Sequence, residues 1–167
     1  MEEITLTKLN ELLTQYAEEL REGIIKRLEQ DGRKASGNLI KSIKTGVEEE
    51  EDKLLITLTA EDYLKYLETG TKPHFPPPDD LIRWIQNKNL PTRERTGNKS
   101  LPTEKSLAYL IGRKINERGT PANNYVHNEV DQLYDKYRDK IWEAFEEDIT
   151  TYYKDAIPSI EIRFKLT

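Results

Sequence analysis

The chain contains no cysteine, which excludes disulfides, thiol nucleophiles and thiolate metal sites. Nor does any apolar run approach the ~20 residues needed to span a bilayer. The opening stretch, MEEITLTKLNELL, carries neither a basic n-region nor an apolar h-region. These absences predict an intracellular, soluble product with no membrane partner, whose fold stands on packing or on assembly. Apolar residues are also scarce: 35% of the chain, against about 45–50% in ordinary globular domains, while charged residues reach 34% against about 25%. Such a balance predicts an open shape or long solvated helices. At 167 residues, one domain spanning 1–167 is the expectation.

What is present is charge, unevenly placed. The net charge of −5 neither demands nor excludes a nucleic-acid partner. Residues 126–155 hold nine acids against four bases, whereas residues 91–118 hold seven bases against three acids. One stretch is therefore acidic and another basic.

Leu6, Leu9, Leu13, Tyr16, Leu20, Ile24 and Leu28 recur every three or four residues, so a long amphipathic helix is predicted over about 5–31, stopping near Gly32. After a polar turn, the stretch around Leu39, Ile40 and Ile43 reads as one helical turn or the entry to a strand. Ile43, Thr45 and Val47 then alternate, as do Leu54, Ile56 and Leu58 against Leu55, Thr57 and Thr59. The run EEEED between them reads as the solvated tip of a hairpin rather than a metal or basic-partner site. A short helix follows over 61–69, closed by Gly70, and TKPHFPPP can only be an extended arm because proline lacks the N–H and biases its predecessor. DDLIRWIQNK starts a helix with acids in its first turn, and residues 89–102 read as a polar loop. Thr103 caps the next helix, which ends at Gly119 and Pro121.

The last helix is predicted over about 124–156, with Val126, Val130, Leu133, Tyr137, Ile141, Phe145, Ile149 and Tyr152 as its stripe. At ~1.5 Å per residue it would be ~45 Å long, outgrowing a compact domain. Trp142 and Tyr153 lie off that stripe, and either contact a partner or widen the core face. A C-terminal strand, about 159–166, alternates Ile160, Ile162, Phe164 and Leu166 with Glu161, Arg163 and Lys165. The predicted class is α+β, with a small antiparallel or mixed sheet of at least three strands flanked by long amphipathic helices.

Chemistry finds no foothold in the motifs. No G-x-S-x-G elbow, P-loop or dinucleotide fingerprint occurs, and the carboxylate pairs Glu61/Asp62 and Asp79/Asp80 fall at helix starts. The two histidines, His74 and His127, lack an H-x-x-x-H or H-E-x-x-H partner; a small metal-dependent hydrolase would need them to meet in space, with Glu68 or Glu129 as a third ligand. No catalytic, cofactor or metal residue is assigned. Arg93, Arg95, Lys99, Arg113, Lys114 and Arg118 can contact phosphates without reading bases, so a non-sequence-specific DNA-binding module is the alternative function.

Taken in order, ASGNLIKSI, YLKYLETGTKPHFPPP, LIRWIQNK and AYLIGRKINERGTPA resemble the tail-completion or neck proteins of tailed bacteriophages, the head-to-tail joining family. The matches span roughly 35–122. The resemblance implies a structural, non-enzymatic virion protein forming a ring of six or twelve copies between portal and tail, made in the host cytoplasm. Its implied partners are copies of itself, the portal or adaptor and tail proteins, and DNA passing through the lumen. Tyr66, Glu68, Gly70 and Thr71 then correspond to the motif's helix end and turn, and Lys72 to Pro78, with Pro73, His74 and Phe75, form an arm fit for docking on a neighbour. Trp142 and Tyr153 join that expected interface. After Pro121 the sequence departs from the pattern: ANNYVHNEV replaces a Pro-Phe-Leu-like anchor, with Tyr125 as the substitute aromatic.

Overall fold

A computed structural model describes residues 6–33, 37–50 and 53–156. The chain runs α1 (Thr7–Gln30), α2 (Asn38–Ser42), β1 (Lys44–Glu50), β2 (Lys53–Thr59), α3 (Tyr63–Thr69), α4 (Pro78–Asn87), α5 (Arg93–Thr96), α6 (Glu104–Arg118) and α7 (Tyr125–Ala156). No helix among the described residues is long and apolar enough to cross a membrane.

The spine is an antiparallel pair, α1 against α7. The predicted stripe of α1 is the buried one: Leu9, Leu13, Tyr16, Leu20, Ile24 and Leu28 all face inward, joined by Ala17. Tyr16, Leu20, Ile24 and Leu28 share one cluster with Leu133 and Tyr137 of α7, where Tyr16 and Tyr137 meet edge to face at 5.3 Å. Each helix of the pair is started by a carboxylate from elsewhere. Asp148 on α7 accepts from the amides of Lys8 (3.0 Å) and Leu9 (2.9 Å), while Glu68 on α3 accepts from those of Val126 (2.9 Å) and His127 (3.0 Å). These first-turn amides have no partner inside their own helices, and an anion there also faces the positive end of the dipole.

Strands β1 and β2 pair antiparallel, with Thr45 opposite Leu58, Val47 opposite Ile56 and Glu49 opposite Leu54. The face carrying Ile56 and Leu58 packs on the α1 core, and the Thr45 hydroxyl donates to the Ala17 carbonyl at 2.7 Å. The sheet thus has two strands among the described residues, not the expected three or more. Helix α1 covers the ribbon's apolar face, so that face is buried without a further strand beside it. The predicted strand at 159–166 and the tip residues 51–52 lie outside the described residues.

A second, smaller cluster holds α4 against α6 through Leu81, Ile85 and Ala108, with Trp84, Ile111 and Ile115 at its margin. Residues 89–102, expected as loop, include the single turn α5, which rests on the start of α6: the Glu94 carboxylate accepts from the Glu104 amide at 3.1 Å. Thr103 caps α6 as predicted, its hydroxyl accepting from the Ser106 amide at 3.1 Å.

Candidate functional site

Two glycine–threonine pairs close the connection between the two clusters. The Thr71 amide donates to the Thr120 carbonyl at 3.0 Å, the Thr120 amide returns a bond to Thr71 at 3.1 Å, and their hydroxyls lie 2.9 Å apart. Gly70 ends α3 with φ 69° and ψ −174°; Gly119 ends α6 with φ 68° and ψ −159°. This corner of backbone space is essentially open to glycine alone. Neither position has room for a side chain. A Cβ on Gly70 would run into the Thr120 carbonyl, and one on Gly119 into the Thr71 carbonyl.

Beside this clasp lies a groove of about 860 Å³. One wall is α3 with Tyr63, Tyr66 and Leu67; the other is formed by Leu81, Trp84, Ile111 and Ile115 from α4 and α6. The arm, Lys72 to Pro76, runs along it, and Arg33, Lys65 and Lys72 place positive charge among its lining residues. Asp80, the acid there, is held by Arg83.

Of the expected interface residues, Tyr66, Gly70, Thr71, Lys72, Pro73 and His74 come together here, in differing roles, and Glu68 does not. Tyr66 is exposed, at 53%. Glu68 turns away to start α7, and Gly70 and Thr71 build the clasp. Lys72, Pro73 and His74 line the groove, and a ring nitrogen of His74 lies 2.9 Å from the Lys72 carbonyl oxygen. Phe75 folds back on its own α6, over Gly112, with its ring 6.1 Å from that of Tyr109, yet stays 44% exposed. Trp142 and Tyr153 are elsewhere, exposed on the far part of α7 at 67% and 54%. Sixteen residues separate Val126 from Trp142, roughly 24 Å along the helix.

The structure does not gather the basic residues into one patch. Arg93, Arg95 and Lys99 stand near the start of α6, where Arg93 donates to the Lys99 carbonyl at 3.0 Å. Arg113, Lys114 and Arg118 occupy the exposed last part of α6, roughly 14–21 Å further along its axis. Arg113 there faces Glu117 at 3.5 Å. The histidines also find other neighbours: His127 lies 3.4 Å from Asp131, and both Glu68 oxygens are occupied by the α7 amides. Among the described residues no group of three or more His, Cys, Asp or Glu is arranged to hold a metal ion.

Shifted ionisations cluster in the α1–α7 seam instead. Burial, then its hydrogen bond to Glu19 (2.8 Å), pushes the Tyr137 hydroxyl up to about 12. Glu19 is held below the usual carboxylate range, chiefly by Lys136 and next by Tyr137. This arrangement joins two packed helices, and none of Glu19, Lys136 and Tyr137 lines the groove.

Sequence reasoning missed Asp148 and the pairing of the two glycine–threonine steps. Asp148 carried a readable signal, a single acid at an inward position between Ile141 and Tyr152. The steps carried another: each Gly-Thr directly follows a helix. No family model, no curated protein and no solved structure matches this chain.

Proposed function

We propose that the chain is a structural subunit of a tailed-bacteriophage head–tail junction, a neck or tail-completion protein. Six or twelve copies form a ring that links portal or adaptor to tail and lets DNA pass through its lumen. The reading starts from the motif order given above. Its structural support is a single arrangement: the clasped groove near the start of α7 and the exposed aromatic face near its end are separate surfaces of one subunit. Two different surfaces on one subunit suit head-to-tail contacts, which generate closed rings when the rotation closes.

The test is the mass of the purified chain by light scattering over a concentration series, with negative-stain images of any large species. Rings of one defined size are expected. A monomer at every concentration that also fails to join isolated portal complexes would overturn the reading.

A further inference from the structure

We propose that the Trp142–Tyr153 face of α7 in one copy seats in the clasped groove of the next copy. The proposal rests on the ring reading and names the contact that would build it.

The face is an apolar ridge without a partner helix among the described residues. Trp142, Phe145, Ile149 and Tyr153 follow one another at helical spacing, beside the stripe that α1 covers. Three of the four are large side chains left exposed, and Trp142 and Phe145 stand edge to face at 6.3 Å. Exposed apolar surface of this continuity marks contact sites rather than ordinary scatter. Around it, the sequence from Trp142 to Tyr153 holds Glu143, Glu146, Glu147 and Asp148 and no lysine or arginine. Asp148 turns inward to start α1, while the three glutamates are exposed. The ridge is therefore apolar with an anionic border.

The groove has the opposite border. Its walls are apolar, and Lys65 and Lys72 are exposed along it with no ion-pair partner among the described residues. An amphipathic helix laid in an apolar groove buries alternate turns of its ridge, and charges of opposite sign at the rim fix register and partner. Within one copy this cannot happen. Glu68 anchors the first turn of α7 at the groove side, and the ridge residue Trp142 lies roughly 24 Å further along the same helix. The occupant is consequently a second copy, and each copy offers one groove and one ridge.

The absence of native cysteine makes the contact directly testable on the full chain. Copies carrying Lys72→Cys are mixed with copies carrying Glu146→Cys in a glutathione redox buffer, and Glu22→Cys on α1 serves as the distant control. The mixed Lys72/Glu146 disulfide is expected at least about tenfold above the mixed Lys72/Glu22 product, the ratio that 1.4 kcal/mol of contact preference gives. In parallel, Lys65→Glu with Lys72→Glu, and separately Glu143→Lys with Glu146→Lys, should each lower the assembled mass. All four changes in one chain should restore it. Circular dichroism of each variant establishes that the subunit remains folded.

Wild-type rings whose mass ignores both pairs of charge reversals, with no enrichment of the mixed disulfide, would overturn this contact and leave the ring reading standing. A monomeric wild type without the mixed disulfide would overturn both. A monomeric wild type that still forms the mixed disulfide selectively would support the contact as a weak one completed on a template.

Discussion

Thr71 and Thr120 exchange both backbone hydrogen bonds and bring their hydroxyls to 2.9 Å, although 49 residues separate them. Everything between them, the arm, α4, α5 and α6, is thereby tied at its two ends to the α1–α7 spine. The clasp also fixes the groove, because Gly70, Thr71 and Thr120 are part of its lining. A rung of two bonds is a small element, so the geometry of the two glycines that permit it carries unusual weight.

Gly70→Ala and Gly119→Ala should each cost about 2–4 kcal/mol, the sum of a backbone conformation that disfavours any side chain and an overlap with a carbonyl that cannot move aside. Gly32→Ala is the comparison. It also has positive φ, 63°, but nothing lies within 4 Å of the added carbon, so only about 1–2 kcal/mol should be lost. Urea unfolding of the three variants checks this. Equal losses at all three positions would remove the steric part of the argument.

The borrowed caps make a second prediction. Asp148→Ala should destabilise the chain by about 1–2 kcal/mol and Glu68→Ala by about 1 kcal/mol, each leaving two first-turn amides without an acceptor. Amide exchange should quicken locally, at Lys8 and Leu9 for the first variant and at Val126 and His127 for the second. Faster exchange throughout both helices with no local excess would count against a capping role.

How much of this was legible beforehand depends on whether the signal is periodic. The α1 stripe and the hairpin alternation repeat over many residues, so Leu9 to Leu28 and the inward pairing of Val47 with Ile56 follow from spacing. The far part of α7 shows where periodicity misleads. Leu133, Tyr137, Ile141 and Phe145 look like one stripe, but each step of four turns about 40° further round a helix of 3.6 residues per turn. By Phe145 the drift is about 120°, and that ring is exposed while Asp148 takes an inward place. The clasp joins single residues across a long separation, for which no local pattern exists. The third strand was expected from alternation at 159–166, outside the described residues, and the two described strands pair only with each other; alternation marks a face as buried without stating how many strands share the sheet.

Ionisation in the α1–α7 seam predicts a loss of stability in alkali. Tyr137 is raised to about 12, Tyr16 is raised by burial and then by Asp131 and Glu129, and Tyr125 is raised by burial and then by its bond to Asp31. A folded-state value above the unfolded one, near 10, means the contribution is intact below about pH 10 and is lost as pH rises toward 12. Glu19 has the opposite sign: its contribution holds above the usual carboxylate range and is lost as pH falls through its lowered value. Tyr137→Phe should flatten the fall between pH 10 and 12 in urea midpoints measured across that range. An unchanged slope would show that the seam does not control alkaline unfolding.

The arm offers a way to separate folding from assembly. Phe75 lies over Gly112, where an added Cβ would stand 2.9 Å from the Phe75 ring tip and 3.3 Å from a methyl of Leu81. The ring is at the end of a partly exposed side chain and can swing away, whereas α6 itself gains about 0.8–1.0 kcal/mol in helix propensity when glycine becomes alanine. Gly112→Ala should therefore leave stability within about 1 kcal/mol of wild type while displacing the arm from α6. Phe75→Ala should lose about 1–2 kcal/mol, since only part of the ring is buried, and His74→Ala almost nothing. If the arm touches a neighbouring copy, Gly112→Ala and Phe75→Ala will both lower the assembled mass in light scattering, despite their opposite tendencies in thermal unfolding. Should both assemble like wild type, Phe75 is an internal brace between α4 and α6 and takes no part in a contact between copies.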